Sequence, residues 1–310
     1  MDIGTVYRST GSWYKVVTDK KILNCRIQGK FRLKLINSTN PVVVGDRVEV
    51  KEDISLGKNY GTITKILSRE NYIVRRSVNL SKETHIIAAN IDHLFLLITY
   101  NNPKTYSKFI DRILVTAEAY KIKVTLVFNK IDTYDQYAKI YINNLINIYN
   151  KAGYSCIKIS ALKKINIEKI NELIRDNTCM FFGNSGVGKS TLINALSPKL
   201  NLKTSEISIQ NKQGVHTTTF AEMFDLENGG KLIDTPGIKG FGIIYIEREE
   251  IKKYFPEFKL IANDCKFKNC IHLNEPDCNV KKAVESKKIS SSRYQNYLEL
   301  LLDNEKNRNA

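Results

Sequence analysis

The chain has 310 residues, too many for one small core and enough for two or three domains. Lys and Arg number 48 against 32 Asp and Glu, and the formal charge of +16 attracts a polyanion, nucleic acid first, in a salt-dependent way. A Lys- and Asn-rich genome would leave the same excess without selection for binding. No apolar run reaches a membrane span, Met1-Asp2-Ile3-Gly4 lacks a secretory layout, and the six cysteines do not form a disulfide framework. A cytoplasmic protein with no membrane partner is the expectation.

Up to about Asn71 the chain reads as short strands: Trp13 to Val17, Leu23 to Ile27, Phe31 to Leu35, Val42 to Val50 and Tyr60 to Ile66. Turns at Gly29, Pro41 and Gly45-Asp46 separate them, which suits a small closed barrel of the OB type. Lys and Arg interleaved with Tyr14, Phe31 and Tyr60 suit an RNA strand, and each of these aromatics fits equally well as core filler. Cys25, Cys156 and Cys179 sit alone in apolar patterns and read as small buried residues.

From Asp92 strands alternate with helices, the mark of an α/β domain. Strands are expected at Leu94 to Ile98, Val124 to Phe128, Cys156 to Ile159, Met180 to Phe182 and Lys231 to Ile233. One helix is expected through Phe109, Ile113, Leu114 and Ala117, a second through Tyr137, Ile140, Tyr141, Leu145 and Ile148, and a third from Lys189 to Leu196.

The chemistry sits where these strands end. Gly183-Asn184-Ser185-Gly186-Val187-Gly188-Lys189-Ser190-Thr191 lies between an apolar strand and a helix, the setting of a phosphate-wrapping loop. Its glycines let backbone N–H groups converge on phosphate oxygens, Lys189 reaches the β- and γ-phosphates, and Ser190 offers Mg²⁺ a neutral oxygen. Asn129-Lys130-Ile131-Asp132 follows a buried strand; the Asp132 carboxylate matches both edge donors of guanine, while Asn129 and Lys130 brace the loop toward the phosphate side. Backbone N–H groups of Ser160 and Ala161 are expected to donate to the guanine carbonyl. Asp234-Thr235-Pro236-Gly237 supplies a carboxylate for Mg²⁺ through water and the Gly237 N–H for the γ-phosphate. Thr218 or Thr219, in Gly214-Val215-His216-Thr217-Thr218-Thr219, is the candidate hydroxyl closing over Mg²⁺; a threonine run entering a strand needs no such role.

Near the C-terminus Cys265, Cys270, His272 and Cys278 form a closely spaced Cys₃His set, which suits one structural, tetrahedral Zn²⁺. Beyond it, Ser290-Ser291 can cap a helix bearing Tyr294, Tyr297, Leu298 and Leu301. Lys281, Lys282, Lys287, Lys288 and Arg293 nearby form a basic region that either grips RNA or is solvated.

The guanine-reading segments precede the phosphate loop, so the usual order is circularly permuted. With a barrel before and a metal cluster after, the chain resembles, over nearly its full length, the RsgA (YjeQ/YloQ) family of small-ribosomal-subunit biogenesis GTPases. Val42 to Asp46, Ile110-Asp111-Arg112, Gly214 to Thr219 and Asp234 to Gly242 also look like that family's segments. The resemblance implies a barrel over 1–72, a permuted GTPase domain over 73–245 and a helical zinc domain over 246–310. It implies GTP hydrolysis to GDP and phosphate, stimulated by the small ribosomal subunit late in its maturation, by a protein that is monomeric when free. Ile238 stands where many GTPases place a water-orienting glutamine, and Tyr245 lies where some members of the family carry a histidine. A phenol with a pKa of about 10 is a poor base near neutrality, although it can hydrogen-bond water. Two rival functions are an RNA-binding assembly factor that uses GTP as a latch, and a GTPase acting on another RNP or on tRNA.

Overall fold

The computed structural model describes residues 1–29, 41–76, 84–200, 221–234 and 246–308. The expected strand at Phe31 to Leu35, together with Thr218, Thr219, Gly237, Ile238 and Tyr245, lies outside the described residues.

Five strands, β1 (Asp2–Ser9), β2 (Tyr14–Thr18), β3 (Ile22–Ile27), β4 (Arg47–Glu52) and β5 (Tyr60–Ile66), pair in the order β1-β2-β3-β5-β4. β1 also pairs with β4, which closes the barrel. Alternation along the strands turns Val6, Tyr14, Val16, Leu23, Cys25, Val48, Val50 and Ile63 into one core. Gly45 is required at its turn: φ is +89°, and a Cβ there would fall 2.0 Å from the carbonyl oxygen of Ala89. Next to it the buried Asp46 accepts the Val43 N–H at 2.8 Å and pairs with Arg69 at 2.6 Å, so the segment singled out in the sequence is a braced turn. A hairpin of β6 (Tyr72–Arg76) and β7 (Thr84–Ala89) follows.

The alternating region runs β8 (His93–Ile98), α1 (Ser107–Ala119), β9 (Lys123–Phe128), α2 (Gln136–Lys151), β10 (Ser155–Lys158), α3 (Ile167–Ile174), β11 (Thr178–Phe182) and α4 (Lys189–Leu196). Then come β12 (Glu222–Asp225), β13 (Lys231–Asp234) and three helices, α5 (Pro256–Ala262), α6 (Asn279–Glu285) and α7 (Ser291–Arg308). No helix among the described residues is long and apolar enough to cross a membrane.

The chain divides into two compact units. The first comprises Met1–Leu94, Glu168–Phe181 and Ile193–Phe241; the second comprises Phe95–Ile167, Phe182–Leu192 and Gly242–Ala310. In the first, β11 lies parallel to β13, β12 runs antiparallel to β13, and β1 continues from β12 into the barrel. In the second, β10 and β9 are parallel and β8 lies beside β9. Helix α2 buries Ala138, Ile142, Leu145 and Tyr149. The sequence suggested a neighbouring stripe, yet Tyr137 is 80% exposed and Ile140 54%. The two stripes share Leu145, and periodicity alone does not tell which of them packs.

The C-terminal helices enclose Ile251, Phe255, Phe258, Val280, Tyr297 and Leu300, with Val115 of α1 in the same core. Arg293 corrects an expectation: it is not part of the basic surface but 1% exposed. Its Nη1 donates to Asp111 at 2.6 Å, and its Nε and Nη2 donate to Glu257 at 2.7 and 2.9 Å. Asp111 also accepts Tyr149 Oη at 2.8 Å and Asn296 Nδ2 at 2.6 Å. A wholly buried charge survives only with such partners.

Candidate nucleotide site and metal centre

The strand-loop-helix setting expected for the phosphate loop is present: β11 ends at Phe182 and α4 begins at Lys189. Phe182 stacks on Phe109 of α1, with ring centres 6.1 Å apart, and Val187 is fully buried, so the loop is anchored at both ends. Gly188 has φ +99°, and a Cβ there would stand 2.4 Å from Asn129 Nδ2. Both the backbone conformation and the close approach demand glycine. The Lys189 ammonium bonds the carbonyls of Gly183 at 2.8 Å and Asn184 at 2.9 Å, holding a positive charge across the loop. Ser190 and Thr191, both half-buried, follow it in the first turn of α4.

Asn129, 2% exposed at the end of β9, is the joint between this loop and the loops that follow β9 and β10. Its Nδ2 donates to the carbonyl of Val187 at 2.9 Å, and its Oδ1 accepts the Ala161 N–H at 3.0 Å. One amide thus uses its two different ends to tie three loops. Lys130, in the left-handed region at φ +65°, donates from Nζ to Gly186 at 2.9 Å and to Asn102 at 2.5 Å. Burial lowers the Lys130 pKa, and the charge of Asp132 opposes that. Asp132 stands exposed in the short 3-10 turn Ile131–Thr133.

One site feature escaped the sequence. Tyr134 donates to the Asn129 carbonyl at 2.6 Å, and burial pushes its phenol up to about 12, so it remains a donor. Its spacing five residues beyond Asn129 was the available signal. In this structure the Ser160 N–H bonds the Ile165 carbonyl at 3.2 Å, and the Ala161 N–H bonds Asn129 Oδ1 at 3.0 Å. Their backbone shapes the loop, and buried N–H groups do not stay unpaired. Asp234 closes β13 in the first unit and is half-buried.

In the C-terminal part of the second unit the ligand atoms of Cys265, Cys270, His272 and Cys278 all lie within 4.8 Å of one another. His272 Nδ1 is 3.3 Å from the sulfurs of Cys270 and Cys278 and 3.8 Å from that of Cys265. Tetrahedral zinc with its usual bond lengths needs edges of roughly 3.6–3.8 Å, so the donor set fits that ion. Burial lowers the His272 pKa to about 4, with Lys252 adding to the effect, and keeps its ring neutral. Burial also pushes the Cys270 thiol up to about 12, so a bound cation must stabilise the thiolate that ligates it. The phenols of Tyr294 and Tyr297 donate to the backbone carbonyls of His272 and Ile271, which ties the metal loop to α7.

An Asn-Lys-x-Asp loop that precedes the phosphate loop, joined to it by one buried amide, defines a circularly permuted P-loop GTPase with an added barrel and a Cys₃His centre. The family model for the RsgA GTPase matches residues 66–244, that for the RsgA N-terminal domain matches residues 3–63, and the chain belongs to this family of GTP hydrolases. A small ribosomal subunit biogenesis GTPase RsgA of Christiangramia forsetii is 56% identical over 305 residues, 98% of this chain and 97% of the relative. One from Bacteroides fragilis is 52% identical over 304 residues, covering 97% of each. Among solved structures, YjeQ from Thermotoga maritima is similar with a TM-score of 0.80 at 33% identity, covering 97% of this chain and 98% of that one. YloQ, described as a circularly permuted GTPase, gives 0.75 at 28%, covering 98% and 94%.

Proposed function

We propose that this chain hydrolyses GTP on the small ribosomal subunit during a late step of its maturation, and that subunit binding stimulates turnover. The observation that carries the nucleotide part is the Asn129 joint, which makes base and phosphate recognition one construction. The names of the relatives, which span almost the whole chain, support the subunit as partner. The charge of +16 supports contact with its RNA.

Guanine is read by Asp132, with the backbone N–H groups of Ser160 and Ala161 as donors to its carbonyl, the Ala161 N–H exchanging its bond to Asn129 for one to the base. Gly183 to Gly188 offer backbone N–H groups to the phosphates, and Lys189 turns from the loop carbonyls to the β- and γ-phosphates. Mg²⁺ held by Ser190, with Asp234 as the outer carboxylate of its motif, would neutralise charge on the transferring phosphoryl group. Thr218 or Thr219, Gly237 and Tyr245 keep their expected roles: hydroxyl over the γ-phosphate, N–H toward it, and hydrogen-bond partner of the attacking water. Because Ile238 cannot orient that water, the partner supplies the missing positioning. One Zn²⁺ held by Cys265, Cys270, His272 and Cys278 would be structural, since four protein ligands leave no position for substrate. We assign three functional segments, 1–72, 73–245 and 246–310, to a protein that is cytoplasmic and monomeric when free.

The test is GTP turnover with and without purified small subunits at controlled salt. Stimulation that disappears in Lys189→Ala is expected. Subunits that bind yet leave turnover at its intrinsic rate would favour the latch function instead.

A further inference from the structure

The outer face of the barrel carries a group of side chains that its core does not need. Across β2, β3 and β5, Lys15 aligns with Asn24 and Asn24 with Tyr60; one step along, Arg26 aligns with Thr62, and Thr62 with Lys51 of β4. The residues between these positions point inward. Tyr14 is among them at 1% exposure, which removes it as a stacking residue. Trp13, just before β2, is half-buried, and the Arg26 guanidinium carbon lies 4.2 Å from the centre of a Trp13 ring. Tyr60, also half-buried, meets Trp13 edge-on with ring centres 5.6 Å apart.

The charges around this stack are one-sided. The nearby carboxylates are engaged, Glu49 with Lys65 at 3.3 Å and Glu52 with Lys21. Among the described residues no carboxylate forms an ion pair with Lys15, Arg26 or Lys51. An arginine on an indole with a second ring at its edge, flanked by unneutralised lysines, combines the two features that hold an unpaired nucleotide. A base stacks on aromatic or guanidinium planes, and ammonium groups meet the phosphates on either side. A duplex hides its base faces and cannot use such a platform.

We propose that Trp13, Arg26 and Tyr60 form a stacking platform for an unpaired base of single-stranded RNA, with Lys15 and Lys51 holding the adjoining phosphates. This rests on the reading of an RNA-containing partner and adds the mode of recognition. It can be followed directly, because Trp13 is the only tryptophan of the chain. Indole emission from the full-length protein comes from the platform alone.

The experiment titrates the full chain with an eight-nucleotide oligouridylate, recording Trp13 emission and, in parallel, the anisotropy of the same oligonucleotide carrying an end label. The expected result is quenching that saturates on the anisotropy curve, with no quenching by an RNA duplex of the same length. Arg26→Gln, at an exposed position, should keep the emission of the free protein and weaken binding roughly tenfold or more. Unchanged GDP binding and zinc content would show that this variant is folded. Anisotropy that rises while Trp13 emission stays flat, or Arg26→Gln that binds like the parent, overturns the platform and leaves the RNA partner standing. Failure to bind the oligonucleotide while purified small subunits still bind has the same meaning. Failure to bind either one overturns the partner as well.

Discussion

Replacing Arg293 by Met tests the buried network that joins α1, α2, α5 and α7. Methionine keeps much of the stem volume and removes the charge. Glu257 loses two hydrogen bonds, but its side chain is 10% exposed and can regain water; the Asp111 side chain is 0% exposed and cannot. Asp111 retains Tyr149 and Asn296 as donors, so the dominant loss is the countercharge. Breaking a buried pair in this way costs about 3–5 kcal/mol. For a cooperative unit of about 150–250 residues that is a fall in melting temperature of roughly 6–20 °C, readable by scanning calorimetry. A second change, Asp111→Asn, removes the stranded charge and should recover more than half of the loss. The deficit should also depend on pH. Burial already holds the Asp111 carboxyl above the ordinary carboxylate value, and Arg293 is the largest influence pulling it down. Without Arg293 the folded-state pKa rises further, so the folded protein keeps the proton longer than the unfolded chain does. The deficit is then smallest at the acid end of the carboxylate range and grows as pH rises toward the folded pKa. A loss under about 1 kcal/mol, or an Asp111→Asn change that worsens it, would refute the reasoning.

Three further outcomes follow from the two sites. Gly188→Ala places a methyl group 2.4 Å from Asn129 Nδ2 at φ +99°, and should weaken GDP binding by roughly ten- to a hundredfold in calorimetry while the C-terminal region melts as before. Asp132→Asn, at an exposed position, should cost about ten- to a hundredfold of the preference for GTP over ATP without changing stability; an unchanged preference in competition binding would remove Asp132 from base reading. Cys270→Ser should abolish stoichiometric zinc by elemental analysis and open the C-terminal region to protease, with GTP binding retained. A zinc-free yet protease-resistant C-terminal region would contradict a structural metal.

The motifs were legible because each one concentrates chemistry in a short span. A loop from Gly183 to Ser190 can be recognised from residue types alone, and so can a set of three cysteines and a histidine between Cys265 and Cys278. The barrel strands β2, β3 and β5 announced themselves by alternation, and the order of the motifs disclosed the permutation. What escaped depends on contacts between distant residues. Nothing local to Ser160 or Ala161 shows that Ile165 and Asn129 use their N–H groups. Arg293 stands near four lysines in the sequence and reads as surface until Asp111 and Glu257 are found around it. β1 was passed over because the alternation in Asp2–Ser9 is blurred by Gly4 and by adjacent buried Val6 and Tyr7. The choice of face on α2 was open for a related reason, two apolar stripes on one helix.

The span of the Asn129 joint has a consequence for how the protein is made. The amide and the Val187 carbonyl it holds are 58 residues apart, with the base-reading side synthesised first. At about 5–20 residues per second, the nascent chain waits roughly 3–12 s before that bond can form. Asp111 waits longer, since Arg293 lies 182 residues downstream, roughly 9–36 s at the same pace. During that interval α1 carries a carboxylate destined for complete burial, and hydration of this charge opposes early closure of its apolar face. The buried pair that ties α1 to α7 is thus completed only after the last helix of the unit has been made.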